Sequence, residues 1–93
     1  MVANFQQEAE KVIELLPSEF NSHQFLTLYA MAYPLSYLEW MNAYGNVKTA
    51  HNRISNALRN LSEKNLLQIK NNGKTMDTNI FGNEDGIVSW TKL

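Results

Sequence analysis

Ninety-three residues, 44% of them hydrophobic, 11% aromatic and 18% charged, have the balance of one globular domain and not of a disordered chain. The absence of cysteine excludes a disulfide scaffold, a thiolate zinc site and a cysteine nucleophile. The net charge of −1 is blocked: Lys11 against Glu8, Glu10, Glu14, Glu19 and Glu39 leaves residues 1–45 at −4; Lys48, Arg53, Arg59, Lys64, Lys70 and Lys74 against Glu63 leaves residues 46–75 at +5; and Lys92 against Asp77, Glu84 and Asp85 leaves the remainder at −2.

Phe5, Ala9, Val12 and Leu16 recur at helical spacing among Gln and Glu, which predicts an amphipathic first helix, and Pro17 ends it because the residue before a proline is pushed out of the helical region. Ser22 reads as the N-cap of a second helix carrying Phe25, Leu28, Tyr29 and Ala32. Tyr33-Pro34 closes that helix, and Pro34 suits the first position of a third, whose apolar stripe is Leu35, Leu38, Met41 and Tyr44. Gly45 supplies the left-handed residue that ends it, and Asn46 caps a fourth helix over 47–64 with Val47, Ala50, Ile54, Ala57, Leu58 and Leu61 inward. A helix, a two-residue turn and a longer helix form a helix-turn-helix signature.

Beyond Lys64 the period changes to two. Leu67 and Ile69 alternate with Gln68 and Lys70, as a half-buried strand requires. Asn72-Gly73 predicts a hairpin turn, with residues 75–78 returning as the partner strand and Met76 opposite Ile69. After a loop holding Gly82 and Gly86, residues 87–91 form a third extended segment with Val88 and Trp90 on one face. Two arrangements stay open for it: a tight hairpin, or one long loop over 71–86 between two strands. The start of the chain has no basic segment ahead of an apolar run. The longest uncharged apolar stretch, residues 25–38, is broken by Pro34, so the expectation is a cytoplasmic protein with no membrane span.

The helix-turn-helix, the segment Ile54-Ser55-Asn56-Ala57-Leu58-Arg59-Asn60-Leu61-Ser62-Glu63-Lys64-Asn65-Leu66-Leu67 and the hairpin signal together resemble the winged helix-turn-helix superfamily over residues 22–91. Members commonly end the recognition helix in leucines that pack on the core, then pass through a polar turn into the strand that enters the wing. The resemblance implies an α+β fold, mainly helical with a small C-terminal antiparallel sheet. One domain would span 1–93: an added helix over 1–17, a helical core over 22–64 and a β wing over 66–92. It implies that the fourth helix reads double-stranded DNA, with no cofactor.

On that helix, with about 100° between successive residues, the face opposite Val47, Ile54 and Leu58 holds Lys48, Thr49, Asn52, Arg53, Asn56, Arg59 and Asn60. Asparagine pairs bidentately with adenine and arginine with guanine; Thr49, Asn52, Arg53 and Asn56 are therefore the expected base readers. Lys48 and Arg59 suit phosphate, and Lys70 and Lys74 beside Asn72-Gly73 put positive charge at the wing tip. So few cationic contacts per chain favour a dimer, and the first helix over 5–16 is the expected dimer contact; the bland equivalent is a helix packed on its own domain. Tyr29, Tyr33, Tyr37, Trp40 and Tyr44, spaced by three or four, read as core or helix interface ahead of a stacking platform for bases.

The expected function is transcriptional regulation through DNA binding. The principal rival is a winged-helix module that docks a protein partner through its aromatic helices or its acidic first helix; a small-molecule pocket between the aromatic helices is a third. An enzyme is not expected. His23 and His51 are far apart in sequence, no HExxH pair, phosphate-cradling glycine loop or nucleophile elbow is present, Glu84-Asp85 reads as a turn, and Glu8, Glu10 and Glu14 read as a solvated helix face.

Overall fold

A computed structural model describes the backbone of residues 4–78 and 84–93 and the side chains of 4–73 and 88–93. Four helices, α1 (Phe5–Leu15), α2 (Ser22–Ala32), α3 (Pro34–Tyr44) and α4 (Val47–Glu63), combine with three strands, β1 (Glu19–Asn21), β2 (Ile69–Thr78) and β3 (Glu84–Lys92). The strands make one antiparallel sheet in the order β1-β3-β2. The architecture is α+β, mainly helical with a small sheet.

The local stop and start signals act as their chemistry dictates. Pro34 opens α3, and Gly45 ends it at φ 67°, a conformation glycine takes without a steric penalty. Asn46 caps α4 by accepting a hydrogen bond from Thr49 N at 3.0 Å. At the other end of α4, Asn65 enters the left-handed region at φ 58°, and Leu66 N donates to Leu61 O while Asn65 N donates to Ser62 O, which satisfies two terminal carbonyls. Leu67 then turns into the core while Leu66 stays exposed. One cap moves by a residue. Asn21, not Ser22, is the N-cap of α2, in a reciprocal pair with Gln24 at 2.8 Å each way. Ser22 Oγ is instead buried, accepting from Trp90 Nε1 at 3.1 Å, which ties α2 to β3.

The core joins all the helices to the sheet. Phe5 of α1 is 1% exposed and meets Phe25, Tyr29 and Trp40 edge to face at 6.2, 5.5 and 5.4 Å. Burying such a ring is worth about 1.5–3 kcal/mol, and each aromatic pair adds about 0.5–1.5 kcal/mol. Ala9, Val12 and Ile13 continue that buried stripe. The expected dimer contact over 5–16 is therefore corrected: the apolar face of α1 is consumed inside its own domain. What α1 turns outward is Glu10, Lys11, Glu14 and Leu15.

Two further expectations change. On α3 the residues turned to the core are Tyr37, Trp40, Met41 and Tyr44, joined by Tyr33 at its N-cap, while Leu35 (77%) and Leu38 (53%) are exposed. And Asn72-Gly73 is a bulge, not a hairpin turn. Asn71 pairs with Trp90 and Lys74 with Val88, so Asn72 and Gly73 together oppose Ser89, with Gly73 at φ 95° and its N–H held by Asn71 Oδ1 at 2.8 Å. β2 therefore runs through this point to Thr78, Met76 pairs with Gly86 and not with Ile69, and Glu84-Asp85 belongs to β3 and not to a turn. The last pair described is Thr78 with Glu84, and the expected loop glycine Gly82 lies outside the described residues.

Candidate nucleic-acid interface

The fourth helix has two chemically distinct sides. Ala50, Ile54, Ala57 and Leu58 are buried and Leu61 packs against them, whereas Lys48, Thr49, Asn52, Arg53, Asn56 and Asn60 are exposed. Val47, expected inward, is exposed at the first turn, where the helix has only begun to meet the core. At 1.5 Å per residue, the step from Thr49 to Asn56 is about 10 Å, so the four expected base readers occupy a stretch that fits within a major groove. Glu63 is the one acidic side chain on α4 and lies at its far end.

Arg53 is not a loose side chain. Its guanidinium carbon lies 5.6 Å from the ring centroid of Tyr44, the last residue of α3. Tyr44 in turn stacks on Trp40 at 6.0 Å and 22°. Trp40 is 1% exposed and donates from Nε1 to Tyr29 Oη at 3.2 Å; Tyr29 donates to Glu8 Oε1 at 2.9 Å, and Ser36 Oγ donates to Glu8 Oε2. Glu8 is thus partly buried and bonded, which corrects its assignment to a solvated face. Burial, above all, pushes the Tyr29 hydroxyl well above its usual pKa of 10.0, so it remains a donor.

Arg59 departs from its expected place. It is partly buried, and its Nε is buried without a hydrogen-bond partner. Its Nε is therefore turned against the domain and away from any phosphate. His51, beside the exposed face, is hydrogen-bonded to Tyr37 (Nε2 to Oη, 2.7 Å). Burial first, and the nearby His23 second, hold its pKa below 6.5. His51 thus packs and bonds locally at the edge of the buried stripe.

Lys70 is exposed, one residue after Ile69, whose carbonyl accepts from Ser62 Oγ at 2.9 Å. It therefore stands near the C-terminal end of α4, away from Thr49. Lys70 and Lys74 flank the bulge and not the wing tip, because the strand continues past them; the Lys74 side chain lies outside the described residues. The aromatics Tyr29 and Trp40 are core, with Tyr33, Tyr37 and Tyr44 packed against it. An open, largely apolar depression lies elsewhere, on the outer side of α2, lined by Leu16, His23, Gln24, Thr27, Leu28 and Met31.

Sequence reasoning missed two features of this face: the ring beside Arg53, and the link from that ring through Trp40 and Tyr29 to Glu8. Tyr44 and Arg53 are nine residues apart on different helices. The one signal for their meeting is the shortness of the Gly45-Asn46 turn, which keeps the end of α3 beside the start of α4. Among the described residues no three His, Asp or Glu side chains gather as a metal site, and no helix is long and apolar enough to cross a membrane. Models of known protein families, curated proteins and solved structures yield no match to this chain.

Proposed function

We propose that this chain is a winged helix-turn-helix protein that binds double-stranded DNA, inserting α4 into the major groove as a transcriptional regulator. One observation carries the reading: Thr49, Asn52, Arg53 and Asn56 stand exposed together, opposite the buried stripe of Ala50, Ile54, Ala57 and Leu58. Asparagine amides and an arginine fork are the side chains that read adenine and guanine edges, and Lys48 beside them suits phosphate. The tight turn before α4 and the two-stranded ribbon after it support the same arrangement. Binding, not catalysis, is the role assigned. The cations on this face are few, so affinity is modest and strongly salt-dependent.

Titration of folded protein against a pool of duplex DNA at low salt tests the proposal. Arg53→Ala and Asn56→Ala each weaken specific binding by about 1–3 kcal/mol while leaving thermal stability near wild type. Folded wild-type protein that binds no duplex at low salt refutes it. The rival role, a winged-helix module that docks a protein, draws support from Met31 (74% exposed), Leu35 and Leu38, large apolar side chains left in solvent on α2 and α3. Under that role Leu35→Gln and Leu38→Gln abolish partner binding and leave DNA titrations unchanged.

A further inference from the structure

We infer that Tyr44 is the residue that gives Arg53 its base specificity: its ring holds the guanidinium poised for a guanine edge, so that the protein selects a G·C pair at that position. This inference rests on the DNA-binding reading above and adds to it a residue outside the reading helix.

An exposed arginine on a helix samples many rotamers, and any contact it makes with a base requires that freedom to be lost on binding. Arg53 is exposed, yet its guanidinium carbon is 5.6 Å from the Tyr44 ring centroid. A guanidinium laid over a ring uses its face and keeps its edge donors for a second partner. Those donors are what a bidentate contact to guanine O6 and N7 needs.

The platform is itself immobilised from below. Tyr44 stacks on the buried Trp40, whose indole N–H is held by Tyr29 Oη, and Tyr29 is held by Glu8 of α1. Gly45, at φ 67°, then reverses the chain within two residues, which leaves Tyr44 beside the first turns of α4. The juxtaposition thus joins a fixed aromatic face to Arg53, an exposed cation in the middle of the reading stretch. Lys48, the other exposed cation there, has no ring contact of this kind among the described residues.

Two measurements test this. The first uses the free protein: the Arg53 side-chain δ and ε protons resonate upfield through the ring current in wild type and in Tyr44→Phe, and return to ordinary values in Tyr44→Leu. The second uses duplexes selected by the wild type from a random pool. Tyr44→Leu weakens binding to the selected duplex by roughly two- to fivefold, the range of an exposed cation–π contact, and flattens discrimination at a single G·C position. Tyr44→Phe retains both, and neither variant changes affinity for non-specific duplex. Tyr44→Met, of similar bulk without a π face, replaces Tyr44→Leu if the latter unfolds. Ordinary Arg53 shifts in wild type overturn the inference whatever DNA does. Wild-type binding with Tyr44→Leu and Tyr44→Met discriminating as sharply overturns it and leaves the DNA reading standing. Shifted Arg53 protons with no duplex bound by wild type overturn the DNA reading, and the specificity role of Tyr44 falls with it.

Discussion

Tyr29→Phe removes one oxygen atom from the centre of the domain and leaves the ring packing intact. The ring sits 5.5 Å from Phe5 and stacks on Phe25 at 5.7 Å, contacts that phenylalanine keeps. Two hydrogen bonds are lost. Trp40 Nε1, in a residue 1% exposed, no longer has its acceptor at 3.2 Å, and a buried donor left unpaired costs about 1–3 kcal/mol. Glu8 Oε1 no longer has its donor at 2.9 Å; because Glu8 is only partly buried, water substitutes, and the loss is nearer about 1 kcal/mol. The sum is about 2–4 kcal/mol, a large share of the roughly 5–15 kcal/mol that holds a domain folded. For a domain of this size it lowers Tm by about 10–25 °C. Urea unfolding followed by far-UV circular dichroism and by tryptophan fluorescence measures it, with the dependence on urea unchanged. Ser36→Ala is the control: it removes the other donor to the partly buried Glu8, where water substitutes, and costs about 0.5–1 kcal/mol. A Tyr29→Phe variant within 0.5 kcal/mol of wild type, or less affected than Ser36→Ala, refutes the reasoning.

Folding lowers the pKa of His51, by burial first and then by His23, whereas in the unfolded chain it takes up a proton near pH 6.5. Stability from this residue is complete above that pH and declines as pH falls below it; the urea midpoint between pH 8 and 5.5 drops less steeply in His51→Gln, and equal slopes rule this out. Asn46→Ala removes the cap on Thr49 N and destabilises by about 1 kcal/mol. Gly45→Ala destabilises by about 1–2 kcal/mol through its positive φ alone, since no atom lies within 4 Å of the added Cβ; thermal melts that show no change in Gly45→Ala contradict this. In DNA titrations across salt, Lys48→Gln and Lys70→Gln each reduce the log–log slope by about one unit, and an unaltered slope removes that lysine from the phosphate contacts.

Elements with a strong local cause were readable from the chain itself. Pro17, Pro34, Gly45 and Asn46 act within a turn or two of their own backbone, and each does in the fold what its chemistry requires. The helices α1 and α4 have one apolar side each, so period separates most of their buried from their exposed residues, Val47, Arg59 and Glu8 apart, and with them the Thr49, Asn52, Arg53 and Asn56 face. α3 is different. It is apolar on more than one side, and neither Leu35 and Leu38 nor Tyr37 and Trp40 are singled out by spacing.

What decided among those sides was where Phe5 and α4 lie, a matter of chain segments far apart in sequence. The same holds for β1, three residues with no alternation to detect, which exists because β3 offers it a partner at Phe20 and Trp90. It holds for Asn72-Gly73, whose preference for positive φ serves a turn or a bulge equally, until pairing on both sides with β3 selects the bulge. Glu8 drew two hydroxyls from other helices, and Arg53 found a ring across a turn. Local conformation follows from the atoms of a few neighbouring residues and is written in their order. Contacts between distant segments depend on which packed arrangement buries the most apolar surface while pairing every buried polar group, and that is a property of the whole chain.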